Sequence, residues 1–254
     1  MRRVPRTAEL ESGHDGCRRG LRPLTARRSG PLPVAAAAGE SLTPASASTD
    51  PAWLDQQIAA AASTYRTADA RVAGTMWWYA ASWAMLAGPL ATLLATGYPV
   101  DPALDATFLH VRPGGLVSAT HSVRTLEKDD LPAALRELFQ DVITAICEVT
   151  KQRDRPLWAI AADSLATQAL AAGTAVGDIA RGSQVAVEIA SAIGDPLPQP
   201  RFVDIPYKNH ESCQRFVHRT SCCLIYLVPG NALCTSCPRR SAQDRAARLA
   251  DLIP

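Results

Sequence analysis

Apolar positions recur at helical spacing along much of this 254-residue chain. Trp53, Leu54, Ile58, Ala61 and Ala62 follow Asp50-Pro51, an N-cap residue with proline at the first helical position, and predict a first helix. Leu131, Leu135, Leu138, Val142, Ile146 and Val149 form one stripe at the 3.6-residue period. With Asp129 or Asp130 as cap, they predict a long amphipathic helix. Cys147 lies beside the stripe and reads as a buried structural thiol. Two further helices span 154–172 and 178–193, stopped by Gly173 and Gly194. Residues 107–111 and 116–120 flank Arg112-Pro113-Gly114-Gly115 and predict a β-hairpin.

Residues 72–100 carry no charge and must be weighed as a membrane span. The segment is largely Ala, Thr, Ser and Gly, with Trp77, Trp78, Tyr79 and Trp83 inside it rather than at two ends. Gly88-Pro89 interrupts it. The pattern therefore predicts a buried helix pair broken at Gly88-Pro89, with the membrane segment as the alternative.

Pro196, Pro198 and Pro200 predict an extended linker, and beyond it the pattern changes. Short strands are expected at 201–207, 216–217 and 223–228, a turn at Pro229-Gly230-Asn231, and a last helix from Ser241-x-x-Asp244 to Leu252. Residues 1–49 show no periodicity and read as a disordered leader, or as an extension upstream of the true start. The resulting plan is a leader (1–49), a helical body with a β-hairpin near 107–120 (50–200) and a small C-terminal cysteine module (201–254).

Composition narrows the function classes. The apolar fraction, 47%, is ordinary for a folded domain, and the net charge is only +2. Eight arginines against four acids concentrate in residues 1–49, which leaves no broad basic surface for nucleic acid. An odd cysteine count, seven, argues against a disulfide-stapled secreted domain, and no apolar run of signal length follows the Arg-rich start. A reducing, cytoplasmic setting follows. There is no G-x-G-x-x-G after a strand, no Walker loop and no G-x-S-x-G.

The candidate chemistry lies in Cys222, Cys223, Cys234 and Cys237, spaced C-C-x10-C-x2-C. Cys234-Thr235-Ser236-Cys237 would serve zinc well. Cys222 and Cys223 argue differently, because neighbouring side chains in extended chain point to opposite faces. Adjacent thiolates suit a two-iron cluster, which divides its ligands between two metals, better than one tetrahedral ion. Spacing alone thus favours iron–sulfur but leaves zinc, a vicinal disulfide and free thiols open. Cys213 reads as an idle or buried thiol rather than a spare ligand, and His210 and His218 as ordinary surface residues.

The segment R-T-S-C-C-L-I-Y with C-T-S-C-P resembles the C-terminal motif of the FhuF-like ferric-siderophore reductases, with all four cysteines at the family's spacing. Ala81-Ser82-Trp83 through Gly88-Pro89-Leu90-Ala91 and Gly97-Tyr98-Pro99-Val100-Asp101 resembles the family's helical stretch upstream. Leu157 to Ser164 is similar to its L-W-G-N-x-A stretch, with Ala159 and Ile160 where Gly and Asn are usual. The likeness runs over residues 60–240. It implies a 2Fe–2S cluster on Cys222, Cys223, Cys234 and Cys237, and an α+β fold: a predominantly α-helical body with a β-hairpin and a small C-terminal cysteine-rich iron–sulfur module. It also implies iron-uptake chemistry, one-electron reduction of a ferric siderophore to release Fe(II).

Six basic residues (Arg201, Lys208, Arg215, Arg219, Arg239, Arg240) face two acids (Asp204, Glu211) between 201 and 240. Arg219 and Arg239 flank the ligands and are the candidates for binding an anionic substrate or an acidic donor; the alternative is that these arginines simply solvate the module. With no flavin or nicotinamide motif, electrons must come from a ferredoxin-like or flavoprotein partner or an external reductant. No membrane span is expected, and peripheral membrane contact stays open. The competing readings are an iron–sulfur module that binds ferric siderophore or accompanies its biosynthesis without turnover, and a zinc-stabilised interaction protein.

Overall fold

The computed structural model describes residues 39–207 and 212–253. Two antiparallel sheets and six helices follow one another as β1 (Ser41–Pro44), α1 (Pro51–Tyr65), α2 (Ala70–Thr96), β2 (Thr107–Val111), β3 (Val117–Ser122), α3 (Leu131–Thr150), α4 (Arg155–Ala175), α5 (Ile179–Ile193), β4 (Phe202–Tyr207), β5 (Ser212–Val217) and α6 (Ala242–Ala250). This is the expected α+β class. Strand order in the first sheet is β1-β2-β3, and β4 and β5 form a separate hairpin.

Residues 41–49 correct the leader boundary. They form β1, paired with β2, and a 3-10 turn in which Ala45 and Ser48 are buried. The rest of that expectation, residues 1–38, lies outside the described residues.

The uncharged segment is one helix, not a broken pair. α2 runs through Pro89, about 40 Å at 1.5 Å per residue. Proline removes the N–H that would bond the carbonyl of Met85 and costs about 3 kcal/mol in a helix interior. Burial offsets this, because Leu86 and Leu90 are fully enclosed, each contributing roughly 1.5–3 kcal/mol. Hydroxyls add local support: Thr92 Oγ1 donates to Gly88 O at 2.9 Å, and Thr120 on β3 donates to Ala84 O at 3.2 Å. Among the described residues no helix is long and apolar enough to cross a membrane.

α2 instead forms the spine of the core, packed on α4, β3 and α1. Trp77, Trp78, Trp158 and Phe139 are its largest enclosed side chains. Trp78, Phe139 and Trp158 meet edge to face at 6.3 and 6.1 Å. Both enclosed α2 indoles find acceptors, Trp77 at Gly115 O (3.0 Å) and Trp78 at Leu157 O (2.9 Å). Gly115 has φ +79, and a Cβ there would meet Gln57 O at 2.7 Å, so the β2–β3 turn can sit directly on α1.

Gly173 does not stop α4, which continues to Ala175. A Cβ on it would meet Asp178 O at 2.6 Å and Gly182 Cα at 2.8 Å. Its role is close approach of α4 and α5.

Candidate metal centre

The cysteine segment is mounted on α2 and α4. β5 delivers the chain beside α5, where Arg215 forks onto Asp204 of β4 at 2.7 Å through both nitrogens and reaches Ser183 Oγ at 3.3 Å. Residues 219–221 then cross to Asp163, a carboxylate only 5% exposed on α4. Asp163 accepts from the amides of Thr220 (3.0 Å) and Ser221 (2.8 Å) and from their hydroxyls at 3.1 and 2.5 Å. Four donors on one buried carboxylate fix the two residues that precede Cys222.

Arg219 is buried beside them. Its guanidinium lies 4.9 Å over the Tyr79 ring, its Nε is 3.6 Å from Asp163 Oδ2, and its Nη1 donates to Cys234 Sγ at 3.6 Å. Nε itself has no hydrogen-bond acceptor among the described residues.

After Cys223 the chain turns sharply. Leu224 takes a left-handed φ of +61, which a leucine rarely adopts. The turn brings the Leu224 amide onto Cys222 and the Ile225 amide onto Cys223. Leu224, Ile225 and Val228 then pack on Val72, Met76 and Tyr65, so the loop is seated on the first turns of α2. The strand expected at 223–228 is a 3-10 turn, Ile225–Leu227, because those apolar residues cover α2 rather than pair with a neighbouring strand.

The second pair of cysteines is held from behind by α6. Arg240 donates to Cys234 O at 2.9 Å and to Leu233 O, and pairs with Asp244 at 2.7 Å. Arg245 reaches Cys237 O and Arg240 O at 3.5 and 3.3 Å and His218 at 2.8 Å. Ser241 caps α6 by accepting from the Asp244 amide.

The four sulfurs interact with one another. Cys234 donates its thiol hydrogen to Cys223, which lowers Cys223 to about 5, with the Ile225 amide and Arg219 helping against burial. The same contact pushes Cys234 upward. Burial raises Cys222, and the charges of Cys237 and Cys223 add to that. Cys223 and Cys237 are buried, whereas Cys222 and Cys234 are half-buried. Among the described residues no three Cys, His, Asp or Glu side chains gather around a point where one ion could be held. A two-iron group divides its ligands between two metals, so its sulfurs need not meet at one point. Four soft donors, two amides on sulfur and a buried arginine with an unsatisfied Nε suit such a group, whose sulfurs are acceptors.

Residues 219–239 match the family model of the FhuF 2Fe-2S C-terminal domain. The match is consistent with a FhuF-like family, and Cys222, Cys223, Cys234 and Cys237 fit its motif. The matched family-model domain is a 2Fe–2S domain, and the clustered C-terminal cysteines fit the binding of such a cluster. No curated protein matches the chain.

The two arginine candidates separate. Arg219 is 7% exposed and committed to Asp163, Tyr79 and Cys234, so it is not a docking charge on the surface. Arg239 is exposed, lies 4.7 Å over the Tyr226 ring and hydrogen-bonds Cys222. Arg240 and Arg215 serve internal contacts, and Lys208, His210 and Glu211 lie outside the described residues. Cys213 is fully buried on β5 and disulfide-bonded, which corrects the expected idle or buried thiol and removes it as a spare ligand. Asp163 was missed by sequence reasoning. Its available signal was a lone carboxylate in an Ala-rich helix otherwise charged only at Arg155.

Proposed function

We propose that this protein is a ferric-siderophore reductase in which Cys222, Cys223, Cys234 and Cys237 ligate a 2Fe–2S cluster. The single observation that carries the reading is the match of the segment bearing these four cysteines to the FhuF 2Fe-2S C-terminal domain. When bound, such a group supplies electrons one at a time.

The substrate iron is Fe(III) held by hard oxygen donors. Gain of one electron makes it Fe(II), a softer and less charged ion that those donors hold far less well, so it leaves. No proton transfer or covalent step on the protein is needed. The chain's tasks are to hold four thiolates and to bring a ferric complex to their exposed edge. Asp163 supports the first by fixing residues 220–221, and Arg240 supports it by fixing the carbonyls at 233–234. Arg239, exposed beside Cys222, supports the second by attracting an anionic complex or an acidic donor. The electron source in this reading is a ferredoxin-like or flavoprotein partner. Thiolates that must stay reduced favour the cytoplasm.

The test is anaerobic turnover with a low-potential donor, a ferric hydroxamate siderophore and a ferrous chelator. Ferrous iron should accumulate with the wild type and not with Cys234→Ser, where a harder oxygen replaces a thiolate. Equal rates for both proteins would remove the cysteine segment from the electron path and end the reductase reading.

A further inference from the structure

We infer that buried Arg219, rather than the exposed arginines around the segment, sets the reduction potential of the group held by the four cysteines. The inference rests on the ligand assignment proposed above, not on siderophore turnover.

Three observations carry it. First, Arg219 is enclosed, at 7% exposure, so its charge acts through protein rather than through water. Second, it is aimed. Nη1 donates to Cys234 Sγ at 3.6 Å, Nη2 to Ser221 Oγ at 3.3 Å, and the Tyr79 ring backs the guanidinium at 4.9 Å. Third, it keeps donor capacity in reserve, because its Nε lacks an acceptor among the described residues.

Asp163 does not cancel this charge at the sulfur. Its oxygens accept from the Thr220 and Ser221 amides and hydroxyls, and Arg219 Nε stands 3.6 Å from Oδ2. The pair is thus a fixed dipole whose positive end faces Cys234 and Cys223. Adding an electron to a thiolate-ligated group makes it more negative, so a fixed positive charge and hydrogen bonds to its sulfurs stabilise the reduced form. A guanidinium cannot be deprotonated in the working pH range, so the effect is constant. Arg239 also hydrogen-bonds a ligand, Cys222, but it is exposed and screened. Arg219 is therefore a positioning residue that acts through thiolates and touches no substrate.

The experiment is a dithionite titration with redox mediators, followed by visible absorption and electron paramagnetic resonance. It uses the cluster-loaded full chain as wild type, Arg219→Gln, Arg219→Lys and Arg239→Gln, each at about 0.1 M and about 1 M salt, where the screening lengths are about 10 and 3 Å. Arg219→Gln should lower the reduced-to-oxidised ratio at a fixed potential about tenfold, a downward shift of about 59 mV for one electron. That shift should survive high salt, and Arg219→Lys should fall between the glutamine variant and the wild type. Arg239→Gln should shift less, and its shift should shrink at high salt.

An unshifted, loaded Arg219→Gln protein would overturn the inference, as would a shift that vanishes with salt. Should the glutamine variant hold no cluster, Arg219→Lys decides. Loading near the wild-type potential supports a role for the charge, and failure of both makes Arg219 a structural post and overturns the claim. A wild type that itself binds no chromophore would instead refute the ligand assignment.

Discussion

Replacing Asp163 by asparagine tests whether the cysteine segment depends on one carboxylate. The substitution keeps the shape but replaces an acceptor-only group with one that carries two donors. The amides of Thr220 and Ser221 and their hydroxyls all donate to Asp163, so at least one buried donor would lose its partner. Arg219 would be left as a buried charge without its carboxylate. Hydrogen bonds to a charged group contribute about 1.5–3 kcal/mol each, but these share one acceptor and do not add. Breaking a buried ion pair from one side costs about 3–5 kcal/mol, and that figure bounds the whole effect. In a chain of this size the loss lowers the melting temperature by roughly 6–20 °C, at about 2–4 °C per kcal/mol. Thermal unfolding by circular dichroism measures it, and visible absorption of the reconstituted variant reports the segment separately. A melting temperature within about 2 °C of the wild type, with full absorption, would show that Asp163 does not hold the segment.

Gly173→Ala should destabilise the protein by about 1–3 kcal/mol in a urea titration, because the new Cβ meets Asp178 O at 2.6 Å and Gly182 Cα at 2.8 Å; an unchanged midpoint would mean α4 and α5 can separate at little cost. His121 has its pKa lowered below 6.5 by burial and by the neighbouring His110, 3.1 Å away. Because the fold disfavours its protonated form, its contribution is full above pH 6.5 and is lost as the pH falls toward its folded value. The stability difference between wild type and His121→Asn should therefore shrink on going from pH 7.5 to pH 5.5, and a constant difference would contradict the assignment. Arg239→Glu should slow ferric-siderophore reduction more at low salt than at high salt; equal slowing at both would remove it as a docking charge.

The helical body was legible wherever one face repeats apolar residues. α3 begins at Leu131 and buries Leu135, Leu138, Val142 and Ile146, as their spacing indicates. Asp50 and Asp178 cap α1 and α5 through their side chains, whereas Asp130 makes no such bond. Pro89 and Gly173 misled for a shared reason. Both are helix breakers by intrinsic preference, and both sit where tertiary packing decides, one between buried leucines and the other against a facing glycine backbone. Leu42 and Thr43 of β1 gave no strand signal because a short edge strand paired on one side needs little apolar pattern. In the site, the cysteines were legible from spacing, but the shell around them was not. Asp163 lies 57 residues before Thr220 in the chain and meets it only through the fold. Arg219 and Arg239 look alike in sequence; burial alone separates them.

Metal and sulfide content decides whether Cys222, Cys223, Cys234 and Cys237 hold a two-iron cluster. Iron, acid-labile sulfide and zinc should be determined together on protein purified without oxygen, with its visible spectrum. The protein should be red-brown, with two irons and two labile sulfides per chain, both lost in Cys223→Ser. A colourless protein carrying stoichiometric zinc and no labile sulfide would contradict the cluster assignment.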